Sequence, residues 1–181
     1  VLFRSATDNI KVLSPDSGGL IRCERFRNAL MRSLKALNPS AAYDIEIVTF
    51  DKRRVKGMVK GGRIIGDVKN AFVIAVDDMI STFGTMKKAC ITAINEGGIL
   101  HRIAATHGLF CGSANESMDE LFSDLNRLGQ DPKIIIADTV SPWRLTDQNL
   151  SKVVIIETGH LVADAIRRIH SGTGSLSDLL K

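Results

Sequence analysis

Val73-Ile74-Ala75-Val76-Asp77-Asp78-Met79-Ile80-Ser81-Thr82-Phe83-Gly84-Thr85 decides how the chain is read. An apolar run ends in two carboxylates. A short polar turn follows, and a helical pattern begins at Met86. This predicts a strand, a tight loop and a helix start within thirteen residues. A helix start presents N–H groups without intrahelical partners and the positive end of the helix dipole, so it suits a phosphate. The two acids would repel a phosphate. They suit neutral hydroxyls or a metal beside it, so one loop can serve both ends of a phosphorylated sugar.

Outward from that stretch, strand and helix patterns alternate. Ile10–Ser14 predicts a strand and Pro15–Gly19 its turn. Leu20 to Leu37 predicts a helix, with Phe26, Ala29, Leu30, Leu34 and Leu37 at helical spacing. Arg22, Arg25, Arg32 and Lys35 fall on its other face and are expected mostly in solvent. Asp44–Phe50 is a second strand. The segment from Asp51 to Gly62 holds five cations and three glycines with little apolar periodicity, and predicts a mobile, cationic loop.

Beyond the opening stretch, Met86 to Glu96 predicts a helix with Met86, Ala89, Cys90, Ala93 and Ile94 buried, stopped by Gly97-Gly98. Further strands are expected at Arg102–Thr106, Lys133–Ala137 and Val153–Ile156. A helix is expected between Ser113 and Leu128, and an amphipathic one through Leu161, Val162, Ala165, Ile166 and Ile169. The strand cores are continuous apolar runs, which indicates an α/β fold with a parallel sheet flanked by helices on both faces. Ligands of such sheets bind beyond the carboxyl ends of the strands. Asp16, Lys52, Asp77 and His107 all follow strands at that edge.

Composition narrows the function. The chain has 181 residues, 44% hydrophobic and 24% charged, as expected of one globular domain with a real core. No apolar run reaches membrane-spanning length and no signal-peptide pattern is seen. Cys23, Cys90 and Cys111 are odd in number, widely spaced and without a CxxC pair, which points to reduced thiols in a cytoplasmic protein and away from zinc. The net charge of +4 is scattered and aromatics are 5%, so a nucleic-acid stacking platform is disfavoured and small anions fit. The first residue is not Met and Val1–Asn9 has no clear pattern. An upstream portion is therefore expected to be missing, with residues 1–9 an irregular start and 10–181 one domain.

Val76 to Thr85 resembles the phosphoribosyl diphosphate loop of type I phosphoribosyltransferase folds. Within that superfamily the chain resembles ribose-phosphate pyrophosphokinase, also called phosphoribosyl pyrophosphate synthetase, from about Val12 to the C-terminus. The further markers are Leu13–Gly19, Asp51-Lys52-Arg53-Arg54, Ile64–Val68, Thr106–Gly112 and Ala165–His170. The family moves a pyrophosphoryl group from ATP to the anomeric hydroxyl of ribose 5-phosphate.

The resemblance implies roles residue by residue. Ser81, Thr82, Phe83, Gly84 and Thr85 would wrap the 5-phosphate. Asp77, and with it Asp78, would accept hydrogen bonds from the ribose hydroxyls. Lys52 and Arg54 match the basic pair of the catalytic loop, and Asp16 matches a position that supports Mg²⁺. Ser81 departs from the family pattern, where many members carry Asp. The family has two similar lobes, and the one supplying much of the ATP site has no counterpart here. The expectation is a C-terminal portion of a homo-oligomeric enzyme, holding the ribose-phosphate half of a site and nearly inactive alone. The alternatives are a non-catalytic, synthetase-associated regulatory subunit, a nucleobase phosphoribosyltransferase (no hood segment for the base is present), and, most remotely, a nucleic-acid binder.

Overall fold

The structure, a computed structural model, describes the backbone of residues 9–55 and 58–180, and the side chains of these apart from 52–61 and 180. Strand β1 (Asn9–Ser14) leads through a short 3-10 turn (Ser17–Gly19) into helix α1 (Leu20–Leu37). Strands β2 (Asp44–Val55), β3 (Met58–Ile65) and β4 (Phe72–Ile80) follow. Then come α2 (Gly84–Asn95), β5 (Ile99–Gly108), α3 (Ala114–Arg127), β6 (Lys133–Ala137), the single-turn α4 (Asp147–Leu150), β7 (Val153–Ile156) and α5 (Gly159–Ser171). A last 3-10 turn spans Leu176–Leu180.

The seven strands form one sheet in the order β3-β2-β1-β4-β5-β6-β7. All neighbours are parallel except β2 and β3, which pair antiparallel. The order reverses at β1, so the chain winds outward from β1 and β4 in two directions. The crevice at such a reversal is where ligands of open α/β sheets bind, and both Asp16 and Asp77 stand there.

Alternation along the strands splits the core between the two faces. On one face Ile10, Val12, Ile74 and Val76 pack with Cys23 and Leu34 of α1. On the other, Leu13, Val73, Ala75 and Ile103 pack with Met86, Ala89 and Cys90 of α2 and with Met118, Leu121 and Leu125 of α3. Each fully buried Leu or Ile contributes roughly 1.5–3 kcal/mol relative to exposure, so this second cluster is the main source of stability.

Three expectations need correction. First, the stripe of α1 is Cys23, Phe26, Leu30 and Leu34, whereas Ala29 and Leu37 face solvent. Second, the expected loop from Asp51 to Gly62 is strand on both arms. β2 runs on to Val55 and returns as β3, with a register irregularity between Lys52 and Arg54. Strand pairing here overrides a local sequence rich in glycine and charge.

Third, α5 forms but buries none of its residues, and Ile166 and Ile169 are 61% and 68% exposed. Ile155 and Ile156 of the edge strand β7 are also exposed. Helices do lie on both faces, but on the α1 side the sheet over β5 to β7 is left as an apolar groove of about 630 Å³. Among the described residues, no helix is long and apolar enough to cross a membrane.

Candidate functional site

β4 carries the site. Its apolar core is buried between α1 on one face and α2 with α3 on the other, and its carboxyl end projects past β1. Strand pairing continues beyond the apolar run, with Asp77 opposite Ala105, Met79 opposite His107 and Ile80 opposite Gly108. The acids therefore sit on a strand held by β5 rather than in a loop. After Ile80 the chain turns through Ser81–Phe83, and α2 starts at Gly84. Phe83 is the residue before the helix. It takes a left-handed backbone (φ 63°) and is 2% exposed.

A cavity of about 140 Å³ lies at this turn. It is lined by Asp16 from β1's exit, by Asp77 and Met79, and by the run Ile80 to Met86. The volume suits a phosphate-sized group rather than a whole nucleotide. The N–H groups of the first helical turn, from Gly84 on, lack intrahelical acceptors. With the hydroxyls of Ser81, Thr82 and Thr85 they supply donors at one end, and the carboxylates supply acceptors at the other. Ser81, Thr82, Phe83, Gly84, Thr85, Asp77 and Asp16 are thus brought together around one space.

Asp78 is not among the lining residues. Its Oδ1 accepts the Met79 N–H at 2.8 Å, and its Oδ2 receives Arg22. Arg22 is the residue that sequence reasoning misplaced. It was expected in solvent, yet its Nη1 donates to Asp77 Oδ1 at 2.8 Å and its Nη2 lies 2.8 Å from Asp78 Oδ2. Asp77 Oδ1 also accepts the Asp78 N–H at 2.9 Å. Burial raises the Asp77 carboxyl above its ordinary value, opposed by the Asp78 N–H and by the Arg22 guanidinium. The signal available in the sequence was position: Arg22 lies one turn into a helix that starts at the same sheet edge.

Asp16 caps the 3-10 turn, its Oδ1 accepting the Gly18 N–H at 3.0 Å. It therefore serves the turn and lines the cavity at once. Among the described residues, no group of three or more His, Cys, Asp or Glu gathers where it could hold a metal ion. Lys52 and Arg54 lie on β2, their backbones opposite Gly62 and Val59, and their side chains fall outside the described residues. His107 is tied structurally, with Nδ1 2.7 Å from Thr139 Oγ1, which itself donates to the Thr106 carbonyl.

A seven-stranded sheet, parallel but for β3 and with helices on both faces, is an α/β fold of the phosphoribosyltransferase type, and a phosphate-sized cavity lies beyond its switch point. Phosphoribosylpyrophosphate synthetase from Mycobacterium smegmatis shares that fold. It superposes with a TM-score of 0.68 at 24% identity, over 92% of this chain and 46% of its own. Residues 46–181 match the family described as the phosphoribosyl synthetase-associated domain, and the chain belongs to that family.

Two relatives are ribose-phosphate pyrophosphokinases. The protein from Haemophilus ducreyi is 36% identical over 171 residues, 93% of this chain and 47% of the relative. The protein from Caldanaerobacter subterraneus is 32% identical over 168 residues, 91% and 45% respectively. The chain spans about half the length of these curated relatives. Asp16 and Arg22 precede the segment matched by the family.

Proposed function

We propose that this chain holds the ribose 5-phosphate half of a ribose-phosphate pyrophosphokinase site, where pyrophosphate passes from ATP to the anomeric hydroxyl to give 5-phosphoribosyl 1-diphosphate. The observation that carries this reading is the single cavity shared by Asp77 and the run Ser81 to Thr85. In it the 5-phosphate takes the N–H groups and hydroxyls of Ser81, Thr82, Gly84 and Thr85, and Phe83 holds the turn. The ribose hydroxyls donate to Asp77, with Asp78 fixing the far side of Arg22. Rate in such transfers comes from positioning and charge neutralisation, which assigns Lys52 and Arg54 to the transferring phosphates.

Mg²⁺ keeps several waters and needs only one or two carboxylates beside substrate phosphates. Asp16 and Asp77, two hard oxygen donors lining one cavity, fit that requirement. The ion would be held at Asp16 and would offset charge on the polyphosphate. ATP, the remaining length found in the relatives, and further copies of the chain are the expected partners. Three free cysteines support a reducing, cytoplasmic setting.

Calorimetry on the purified chain tests this. Ribose 5-phosphate should bind in the millimolar range, ribose much more weakly, and Asp77→Ala should weaken ribose 5-phosphate about tenfold, the loss of one or two charged hydrogen bonds. The chain alone should show little or no ATP turnover. Absence of ribose 5-phosphate binding sinks the substrate assignment, and a clear turnover rate sinks the claim that only half a site is present.

The matched family's description, synthetase-associated, favours a second reading: a non-catalytic partner of the synthetase that keeps the fold. The basic pair Lys52 and Arg54 has no purpose in that role. In a chain of the relatives' full length, Lys52→Ala should abolish turnover while leaving ribose 5-phosphate binding near normal. A non-catalytic subunit has no turnover to lose.

A further inference from the structure

The turn from Gly108 to Gly112, between β5 and α3, touches the phosphate loop along its whole entry. The Ile80 carbonyl accepts both the Leu109 N–H (2.9 Å) and the Phe110 N–H (3.1 Å). The next carbonyl, of Ser81, accepts the Cys111 N–H at 3.0 Å. Ser81 Oγ and Cys111 Sγ lie 3.0 Å apart. A Cβ on Gly112 would stand 3.5 Å from Thr82 Cγ2, so the end of the turn lies against the next residue of the loop. The two peptide units that precede Thr82 are therefore both held by one neighbouring segment.

Phe110 anchors that segment. It is 1% exposed and takes a left-handed backbone (φ 45°), which is rare for a bulky residue and persists only where packing over-determines it. The packing is visible at Gly108. A Cβ there would lie 2.5 Å from the Phe110 ring and 2.7 Å from Ile136 Cδ1 of β6, so the ring and Ile136 crowd the β5 backbone itself. Contact thus runs from the sheet core at Ile136, through the Gly108–Phe110 corner, to the loop at Ile80 and Ser81. Phe83, the loop's own buried aromatic residue, has the same backbone sign (φ 63°).

We propose that the Gly108–Gly112 turn is a clamp that sets the geometry of the phosphate loop, with Phe110 as its positioning residue. The clamp rests on the assignment of Ser81 to Thr85 to the sugar phosphate. Phe110 meets no ligand. It acts through the Ile80 and Ser81 carbonyls, whose placement orients the donors that follow.

The test compares two large-to-small core truncations. Phe110→Ala and Leu121→Ala each empty a fully buried site of the same core, the second on α3 and outside the turn and the loop. Below their unfolding temperatures, Phe110→Ala should weaken ribose 5-phosphate and inorganic phosphate at least tenfold and shift the Thr82, Gly84 and Thr85 amide resonances. Misplacement near an ångström suffices for such a loss. Leu121→Ala should leave both ligands within about twofold, and Phe110→Leu should recover most of the affinity. Equal affinities for Phe110→Ala and Leu121→Ala overturn the clamp.

Should Phe110→Ala not fold, Cys111→Val and Cys111→Ser decide. Serine keeps the Ser81 contact and wild-type affinity, valine loses about threefold, and identical affinities overturn the proposal. A wild-type chain that binds neither ligand overturns the sugar-phosphate assignment itself, and the clamp falls with it.

Discussion

Arg22 on α1 and Asp77 on β4 meet at 2.8 Å, although 55 residues separate them in the chain. The same guanidinium reaches Asp78, so one cation spans two adjacent carboxylates, the first of which lines the cavity. Arg22→Met should lower stability by about 1 kcal/mol at neutral pH, the range of a charged hydrogen bond that is partly open to water. The loss should shrink as acid protonates Asp77, whose carboxyl burial holds above its ordinary value. Urea unfolding at pH 7 and pH 4 checks this, and a pH-independent loss would show that the arginine acts by packing alone.

Asp77 itself should weaken the empty fold at neutral pH. Burial raises its carboxyl above the ordinary value of 3.8, so in the window above 3.8 the folded chain binds more protons than the unfolded chain. Stability then falls as pH rises through that window. Asp77→Asn keeps an acceptor for Arg22 and removes the charge. It should melt higher than wild type at pH 7, with the two curves converging below pH 3.8. A variant that melts lower at pH 7 would mean the charged contact with Arg22 outweighs the desolvation.

The same residues show where the sequence speaks and where it is silent. The range of α1 could be read to the residue because helical spacing and Asn38-Pro39 are local signals. The parallel sheet with helices on both faces follows from apolar runs alternating with helices, whereas the strand order comes from pairing between distant segments. Arg22 was expected in solvent because its partners are distant in sequence and a cation on a polar helix face looks the same whether solvated or paired, and its place at the sheet edge was the one signal against that. The acids looked like a loop because apolar character stops at Val76, while the ladder to β5 carries the strand to Ile80. The β2–β3 hairpin was hidden for the same reason, since backbone pairing leaves no side-chain period among lysines and glycines. The backbone sign of Phe83 and Phe110 has no signal at all in residue type, for both positions hold residues that normally avoid it.

Thiol chemistry should separate the three cysteines. Cys23 and Cys90 are fully buried, and burial pushes the Cys90 thiol up to about 12. Cys111 is partly exposed beside Ser81. Ellman's reagent at pH 8 should titrate one thiol in the folded chain and all three in guanidinium, because reactivity follows thiolate character and access. Ribose 5-phosphate should slow the single reaction. Rapid reaction of two or three thiols without denaturant would contradict the packing of α1 and α2 against the sheet.

Lys11 and Glu46 offer the sharpest stability test away from the site. They stand opposite each other on β1 and β2, with Nζ 2.5 Å from the carboxylate. Lys11 is 4% exposed, whereas the Glu46 side chain is 60% exposed. The two partners therefore differ in what each leaves behind. Glu46→Gln strands a buried ammonium with only a neutral acceptor, a loss of roughly 1–3 kcal/mol. Lys11→Met removes the buried charge and leaves a carboxylate that water already reaches. It keeps the apolar stem among its neighbours and should be near neutral or stabilising. Urea midpoints at pH 7 order the three proteins as Lys11→Met at or above wild type and Glu46→Gln below it. The reverse order would mean that the ammonium makes a net contribution to the fold through more than its pairing with Glu46.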